Sequence, residues 1–231
     1  MAAANLAKID PLLGPLQDWL VLRGPGLAAY FGLFEVGKPQ PGETVVVSGA
    51  AVAVGQLAGQ LAKIKGCRVI GIAGGPAKCE WVVRELGFDA CIDYKQHPDA
   101  ASLDAALAAA TPNGIDANFE NVGGEILNAV LRRMNAFGRI ALCGMISGYE
   151  GRPIPLANPA LLLTQRLRVE GFIVSEHMEV WPEALKELGT LVATGKLKYR
   201  ESVAPRIEDA PEAFIGLLKG KNFGKQLVKL N

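Results

Sequence analysis

The chain of 231 residues is long enough for one α/β domain with extensions, and half of its residues are hydrophobic, which is sufficient for a sizeable core. Its 24 basic and 23 acidic side chains leave a formal charge of +1, so we expect no nucleic-acid partner. No apolar run approaches the roughly 18 residues of a membrane span, and the N-terminus lacks the pattern of a secretory signal. We therefore expect a cytoplasmic protein that does not enter the membrane.

The cysteines and histidines do not form a metal-binding pattern. There is no C-x-x-C pair among the four cysteines, and the only histidines are His97 and His177. A structural zinc site needs several such ligands at short spacings, so we expect no bound metal. Cys67, Cys79 and Cys91 recur at intervals of 12. We assign that interval to the alternation of strands and helices, and we interpret the cysteines as small buried hydrophobic residues.

Along the chain, short runs rich in β-branched residues alternate with longer helical stretches. Strands linked by helices of about ten residues indicate βαβ units and a parallel sheet. The fold is therefore predicted to be α/β, with a doubly wound sheet of six parallel strands, as in Rossmann dinucleotide-binding domains. The predicted strands are 44–48, 68–74, 90–94, 115–122, 138–146 and 168–174. The predicted helices are 54–66, 76–87, 99–111, 125–134 and 159–167.

The two ends of the chain differ from this central region. Residues 1–40 are punctuated by prolines and contain one predicted helix, at 26–36, so we interpret them as a crossover segment that leads into the sheet. Residues 41–180 form the predicted dinucleotide-binding domain. Residues 181–231 form a C-terminal tail. Its predicted elements are helices at 181–197 and 210–222 and a strand-like segment at 224–231.

The turn after the first strand is an altered nucleotide-binding fingerprint. In the usual G-x-G-x-x-G pattern, the second glycine lets the backbone approach the pyrophosphate and the third packs the helix on the strand. The three positions hold Ala50, Val52 and Gly55 here. A positive φ at Val52 would cost about 1–3 kcal/mol, and an ordinary φ would leave its side chain crowding the pyrophosphate. We expect weakened nucleotide binding; the alternative is a slightly shifted loop that accepts Val52 without consequence.

The end of the second strand indicates which dinucleotide is bound. Sites selective for NAD usually place an acid here to bind the ribose hydroxyls. This chain has "AGGPAK" at 73–78, without an acid, and Lys78 lies in the first turn of the next helix. A cation there suits a 2′-phosphate, so NADP(H) is the predicted cofactor. The alternative is that Lys78 is an ordinary solvated helix residue.

Several segments carry a family resemblance: "TVVVSGAA", "KGCRVIGIAGG", "ELGFDACIDYK", "FENVGGEILNAVL", "RIALCGMISGY", "RLRVEGFIV" and "APEAFIGLLKGKNFGKQLVK". In order and spacing they are similar to the NADPH-dependent double-bond reductases of the medium-chain dehydrogenase/reductase superfamily. The resemblance implies a zinc-free enzyme in which NADPH gives a hydride to the β-carbon of an α,β-unsaturated ketone or aldehyde. It implies a small enone or enal as substrate and, since members often pair, a homodimer.

The resemblance also implies roles for individual residues. Lys78 and Tyr94 would hold the 2′-phosphate side of the adenosine, and Asn121 would lie along the cofactor. Tyr149 is the candidate catalytic hydroxyl, with an ordinary loop tyrosine as the alternative. The candidate cofactor-binding residues are Ala50, Val52, Val54, Gly55, Gly74, Lys78, Tyr94, Asn121, Gly123, Cys143, Gly144, Ser147, Phe172, Ile173, Val174, Asn222 and Gly224.

Two features separate this chain from the family. Val52 stands where the family's loop has glycine, and members carry a further N-terminal β-barrel that forms one wall of the substrate cleft. The family's tail packs on that barrel, so the last strand here is expected to offer a free edge for self-association. A non-catalytic Rossmann remnant that binds nucleotide weakly and serves in assembly is therefore the alternative to a reductase or its cofactor-binding part. A short-chain-type dehydrogenase would need a Tyr-x-x-x-Lys pair on a helix, which no predicted helix supplies.

Overall fold

A computed structural model describes residues 15–151 and 153–230; residues 1–14 of the predicted crossover segment lie outside the described residues. Six strands form one parallel sheet. They are β1 (Thr44–Ser48), β2 (Arg68–Ala73), β3 (Ala90–Asp93), β4 (Ile115–Glu120), β5 (Met134–Leu142) and β6 (Arg168–Gly171). Their order in space is β3-β2-β1-β4-β5-β6, which confirms the doubly wound α/β fold.

Helices pack on both faces of this sheet. Along the described part of the chain, none of them combines the length and apolar character needed to cross a membrane. Their bounds are α1 (Leu16–Val21), α2 (Leu27–Phe31), α3 (Gly55–Ile64), α4 (Pro76–Arg84), α5 (Ala100–Ala110), α6 (Gly124–Arg133), α7 (Ala160–Thr164), α8 (Trp181–Ala193) and α9 (Ala210–Leu218).

The central strand explains the two cores. All five residues of β1 are buried, as expected for a parallel strand covered on both faces. Side chains alternate between the faces of a strand. Val45 and Val47 join the core beneath α3, whereas Val46 joins the core beneath α5 and α6. The β-branched run "TVVVS" therefore anchors the helices on both sides of the sheet.

The N-terminal helix is longer than its prediction at 26–36. Helical backbone runs from residue 16 to residue 37, with α1 and α2 joined through the π-helical turn Leu22–Gly26 and followed by a second, Gly32–Gly37. Pro25 lies inside the first π-helical turn, where the wider winding accommodates the proline ring and its missing N–H. The predicted helix begins only after Pro25, because a proline breaks a regular α-helix.

The fifth strand is shifted from its prediction at 138–146. It begins and ends four residues earlier, at 134 and 142, and its register with β4 is irregular near its start. Beyond Leu142 the N–H groups of Cys143 and Gly144 both donate to the Glu120 carbonyl, at 2.9 and 3.1 Å. The chain therefore turns away from the sheet where the sequence pattern predicted continued strand.

The C-terminal tail contains a strand that the sequence analysis missed. The short, polar segment β7 (Glu201–Ala204) pairs in parallel with β8 (Lys225–Val228), so β8 has a neighbour within the chain. The tail docks on the turn after β1 through Gly224, whose N–H donates to the Ala51 carbonyl at 2.8 Å. Gly224 has a φ of 70°, and a β-carbon there would lie 1.7 Å from the Arg200 carbonyl oxygen. No other residue type fits this position without moving the tail.

We predict that Gly59→Ala destabilises the chain by about 1–3 kcal/mol, because the cost of overpacking exceeds the gain in helix propensity. Gly59 lies on α3, and a β-carbon there would lie 1.8 Å from a carbon of the buried Phe88 ring. Urea denaturation measures the change. The control is Gly189→Ala on α8, where a β-carbon meets no atom within 4 Å and stability should rise by up to about 1 kcal/mol. If Gly59→Ala were as stable as the unmodified chain, the Phe88 ring would not limit the side chain at position 59.

Candidate functional site

A cavity of about 560 Å³ opens at the carboxyl ends of β1, β2, β4 and β5. Its floor lies where the strand order reverses between β1 and β4, which is the usual place for ligands in doubly wound sheets. The C-terminal tail forms the opposite wall. Predicted site residues that line it are Val52, Val54, Gly74, Lys78, Tyr94, Asn121, Cys143, Gly144, Ser147, Tyr149, Asn222 and Gly224.

Val52 does not have the strained backbone considered from the sequence. Among the described residues, the non-glycine residues with positive φ are Lys38, Phe137 and Arg166. The Val52 N–H donates to the Gly49 carbonyl at 3.1 Å. Of the two possibilities raised by the sequence for Val52, a positive φ is therefore excluded. Glycine at position 49 (φ 61°) supplies the left-handed conformation that the turn needs.

The Val52 side chain lies between the turn and the tail. The residue is half-buried, lines the cavity and forms an isolated parallel bridge with Gly224. Crowding of a ligand by this side chain, the second possibility raised by the sequence, therefore agrees with its position. Ala50 and Gly55 are buried behind the turn: a β-carbon at Gly55 would lie 2.2 Å from the Gly49 carbonyl oxygen. These two residues shape the turn and do not line the cavity.

A buried carboxylate holds the floor of the cavity. One Glu120 oxygen accepts hydrogen bonds from the Ser48 hydroxyl at 2.7 Å, the Val122 N–H at 2.7 Å and the Gly123 N–H at 2.8 Å. The Asn121 amide donates to the Ser48 carbonyl at 2.7 Å, and its backbone N–H donates to the Ser48 hydroxyl at 2.8 Å. These bonds fix the ends of β1 and β4 relative to each other and set the position of Asn121.

The carboxylate nearest the end of β2 is already used by the protein. Asp93 pairs in register with Ala73 and accepts from the Gly75 N–H at 2.7 Å and the Lys95 N–H at 3.1 Å. Burial acts to raise the pKa of Asp93, but these bonds and one from the Gln96 side chain outweigh it, so the pKa is lowered. Asp93 therefore stays ionised and is engaged in holding the turn after β2.

Positive charge dominates the wall above the end of β2. The cavity lining includes Lys78, Lys219 and Lys225 and no acidic residue from the described part of the chain. The Lys78 ammonium donates to the Gly220 carbonyl at 2.8 Å. Burial and the nearby charge of Lys95 lower the pKa of Lys78, so its charge lacks an anionic neighbour strong enough to offset them. An anionic ligand group would supply that neighbour.

Two candidate groups lie on the β5 side of the cavity. The Tyr149 hydroxyl accepts from the Met145 N–H at 3.4 Å, and the side chain is 63% exposed. Its own proton is therefore free to be donated. Burial raises the pKa of the Cys143 thiol to about 12, so this side chain is neutral near pH 7 and does not act as a thiolate.

Besides Ala50 and Gly55, four further predicted site residues do not line the cavity. The N–H of Gly123 serves the Glu120 carboxylate. Phe172 packs in an aromatic cluster, with its ring centroid 5.5 Å from that of Phe31. Ile173 is 60% exposed, and Val174 packs at the edge of the same core. The structure does not bring these residues to the candidate site.

Several lining residues were missed from the sequence. Lys219, Gly220, Lys225 and Gln226 flank the predicted Asn222 and belong to the tail wall. The cluster of lysines in "LKGKNFGKQ" was the available signal. This signal is weak, because basic residues near the end of a chain are usually solvated.

The comparisons with known proteins agree with this geometry. The family model for zinc-binding dehydrogenases matches residues 53–190. The NADPH-dependent curcumin reductase of Escherichia coli is 43% identical over 98% of this chain and 67% of its own length. Prostaglandin reductase 1 of Bos taurus is 46% identical over 98% and 70%. The crystal structure of CurA with NADPH from Vibrio vulnificus has a TM-score of 0.87 at 43% identity, covering 98% of this chain and 68% of that one.

The residues that the structure describes do not fit a zinc ion, despite the name of that family model. Within residues 15–151 and 153–230, no group of three or more histidine, cysteine, aspartate or glutamate side chains is placed to hold a metal. Three or four such ligands are what protein-bound zinc requires. We therefore assign no chemical step to a metal.

We predict that Asp93→Asn lowers the unfolding free energy near pH 7 by about 1 kcal/mol, because the N–H groups of Gly75 and Lys95 would then donate to a neutral amide oxygen instead of a carboxylate. Since the folded pKa of Asp93 is below its unfolded value of about 3.9, the carboxylate stabilises the chain above that pH. The difference should shrink as pH falls through the folded pKa. Urea denaturation at several pH values tests this, with the exposed Glu80→Gln on α4 as control. A difference independent of pH would contradict it.

Proposed function

The chain belongs to the zinc-binding dehydrogenase family, and on that premise we propose that it binds NADPH and acts as an oxidoreductase or as the cofactor-binding part of one. The proposed reaction is reduction of the carbon–carbon double bond of an α,β-unsaturated ketone or aldehyde. The names of its relatives, which include a 2-alkenal reductase of Nicotiana tabacum, support this class of substrate. One observation carries the cofactor assignment: among the described residues, the cavity at the switch point is lined by lysines and by no carboxylate.

The proposed orientation of the cofactor follows from the charges. The 2′-phosphate would take the Lys78 ammonium, which now donates to the Gly220 carbonyl. Tyr94, which lines the cavity beside Gly74, would border the adenosine. The ribose hydroxyls would find no free carboxylate, because Asp93 is engaged by backbone N–H groups. NADPH is therefore favoured over NADH.

The protein's part in the reaction would be positioning and proton transfer. Bound NADPH would supply the hydride, which adds to the β-carbon of the substrate. Asn121, fixed through Ser48 and the Glu120 network, would hold the middle of the cofactor in one place. The Tyr149 hydroxyl, oriented by the Met145 N–H, is our candidate to stabilise the enolate and pass its proton toward the α-carbon.

A second candidate function rests on the turn after β1. The bridge between Val52 and Gly224 brings the tail onto the loop where a pyrophosphate would bind. A Rossmann domain that binds nucleotide weakly and serves in assembly would have this arrangement. NADPH titration and turnover of a simple enone separate the two: a reductase consumes NADPH and enone, its cofactor-binding part binds NADPH tightly without turnover, and the assembly module shows weak binding and no turnover.

We also propose a homodimer in the cytoplasm. β6 is the last strand of the sheet, and three of its four residues are exposed. An exposed edge strand of this kind is a surface through which two copies can pair.

Lys78→Ala should weaken NADPH binding by roughly ten- to a hundredfold, the cost of losing one charge-assisted hydrogen bond to the 2′-phosphate. NADH affinity should change by less than about threefold, because NADH has no phosphate at that position. Titration followed by nicotinamide fluorescence measures both.

The matched control for this variant is Lys65→Ala. This exposed lysine follows the C-terminal end of α3 and borders a different cavity. It should bind both nucleotides like the unmodified chain. An equal loss of NADPH and NADH affinity in Lys78→Ala would contradict 2′-phosphate recognition by this residue.

Val52→Gly should tighten NADPH binding by roughly tenfold, since it removes a side chain that crowds the turn. Val52→Ala is the comparison variant, and it should recover most of the gain because the backbone φ at this position is ordinary. Fluorescence titration again reports the affinities. If only glycine improves binding, backbone freedom and not side-chain bulk limits the site; if neither does, Val52 has no effect on the cofactor.

A further inference from the structure

Two cysteines outside the cavity lie against each other. Cys79 is on the first turns of α4 and Cys91 is on β3, and the Cys91 thiol donates to the Cys79 sulfur at 3.1 Å. Neither residue lines the cofactor cavity. A disulfide bond needs the two sulfurs at about 2.05 Å, so the pair is roughly 1 Å from bonding distance.

The surroundings place the two sulfurs together. The Cys91 sulfur lies over Gly71, where a β-carbon would come within 3.2 Å of it, so the absence of a side chain in β2 makes room for the thiol. Cys79 and Cys91 are both half-buried, as is Cys143, whereas Cys67 is 3% exposed and donates to the Gln40 carbonyl. The packing of Cys91 over Gly71 therefore brings the two sulfurs together, in addition to their spacing of 12 residues in the sequence.

We propose that Cys79 and Cys91 form a redox modification site, a dithiol that a peroxide converts into an intramolecular disulfide joining α4 to β3. The hydrogen bond from Cys91 lowers the pKa of Cys79, with burial acting in the opposite direction. The same hydrogen bond and burial raise the pKa of Cys91. Cys79 is thus the attacking sulfur and Cys91 the resolving one.

The steps balance with hydrogen peroxide as the oxidant. The Cys79 thiolate attacks one peroxide oxygen, the O–O bond breaks, and a sulfenic acid and hydroxide form. The Cys91 sulfur then attacks the Cys79 sulfur, displacing the hydroxyl, which leaves as water with the thiol proton. Two thiols lose two electrons and two protons in all, and one peroxide becomes two waters once the hydroxide is protonated.

Peptide mapping tests the proposal directly. Trypsin cuts after Lys78, Arg84 and Lys95, so the two cysteines fall on peptides 79–84 and 85–95. The reduced full chain is treated with hydrogen peroxide near equimolar concentration, free thiols are blocked with N-ethylmaleimide in denaturant so that buried thiols also react, and the digest is analysed without reduction. The expected product is peptide 79–84 linked to 85–95, two hydrogens lighter than the separate peptides and released by dithiothreitol. Cys67 and Cys143 should carry the maleimide.

Variants identify the order of attack. In Cys91→Ser, Cys79 should stop at the sulfenic acid, which dimedone captures; in Cys79→Ser, Cys91 should remain unoxidised at the same peroxide concentration. Circular dichroism checks that both variants fold. The mapping of the unmodified chain does not depend on either variant.

Stability gives an independent readout. The disulfide closes a loop across 12 positions, which restricts the unfolded chain, so the urea midpoint of the oxidised chain should lie above that of the reduced chain. The proposal is overturned if the linked peptide is absent, if peroxide oxidises Cys143 before Cys79, or if the cross-link joins two molecules and disappears on dilution.

Discussion

The buried Glu120 carboxylate is the constraint on which the rest of the site depends. It ends β4 at the reversal of strand order and binds the Ser48 hydroxyl together with two backbone N–H groups of the following turn. A fully buried carboxylate would be costly without such partners. With these partners, the carboxylate ties the two central strands together and fixes Asn121. The backbone carbonyl of Glu120 accepts the hydrogen bonds that turn the chain after β5. The open floor of the cavity is a consequence of this network.

The positive charge of the site follows from the lack of a free carboxylate at the end of β2 among the described residues. Since Asp93 is held by the N–H groups of Gly75 and Lys95, no free carboxylate in the described part of the chain opposes Lys78. The tail then adds Lys219 and Lys225 and docks through Gly224, which leaves no space for a side chain. One wall of the cavity is thus built from the beginning of the domain and the other from its last residues. The docking contact brings Val52 to the boundary between them.

The fold could be predicted largely from the sequence because short strand-forming runs, most clearly the apolar β1 and β2, alternate with helices, and parallel sheets produce that pattern. The shift of β5 and the strand β7 could not, since hydrogen bonds to the Glu120 carbonyl and pairing with β8 decide them. Within the site, Lys78 was proposed from the missing acid after β2 and Asn121 from the family resemblance, and both residues line the cavity. Phe172 does not line the cavity, because its ring packs against Phe31 and Phe119, which come from distant segments. The residue with positive φ in this turn is Gly49, which no fingerprint position indicated.

A crystal structure of the unmodified chain grown with NADPH tests the central claim most directly. The account predicts the dinucleotide in the cavity between β1 and β4, with the 2′-phosphate within hydrogen-bonding distance of the Lys78 ammonium, which would move from the Gly220 carbonyl. The pyrophosphate should lie against the turn that contains Val52. NADPH bound with its adenosine away from Lys78, or an unchanged bond from Lys78 to Gly220 beside a bound cofactor, would contradict it.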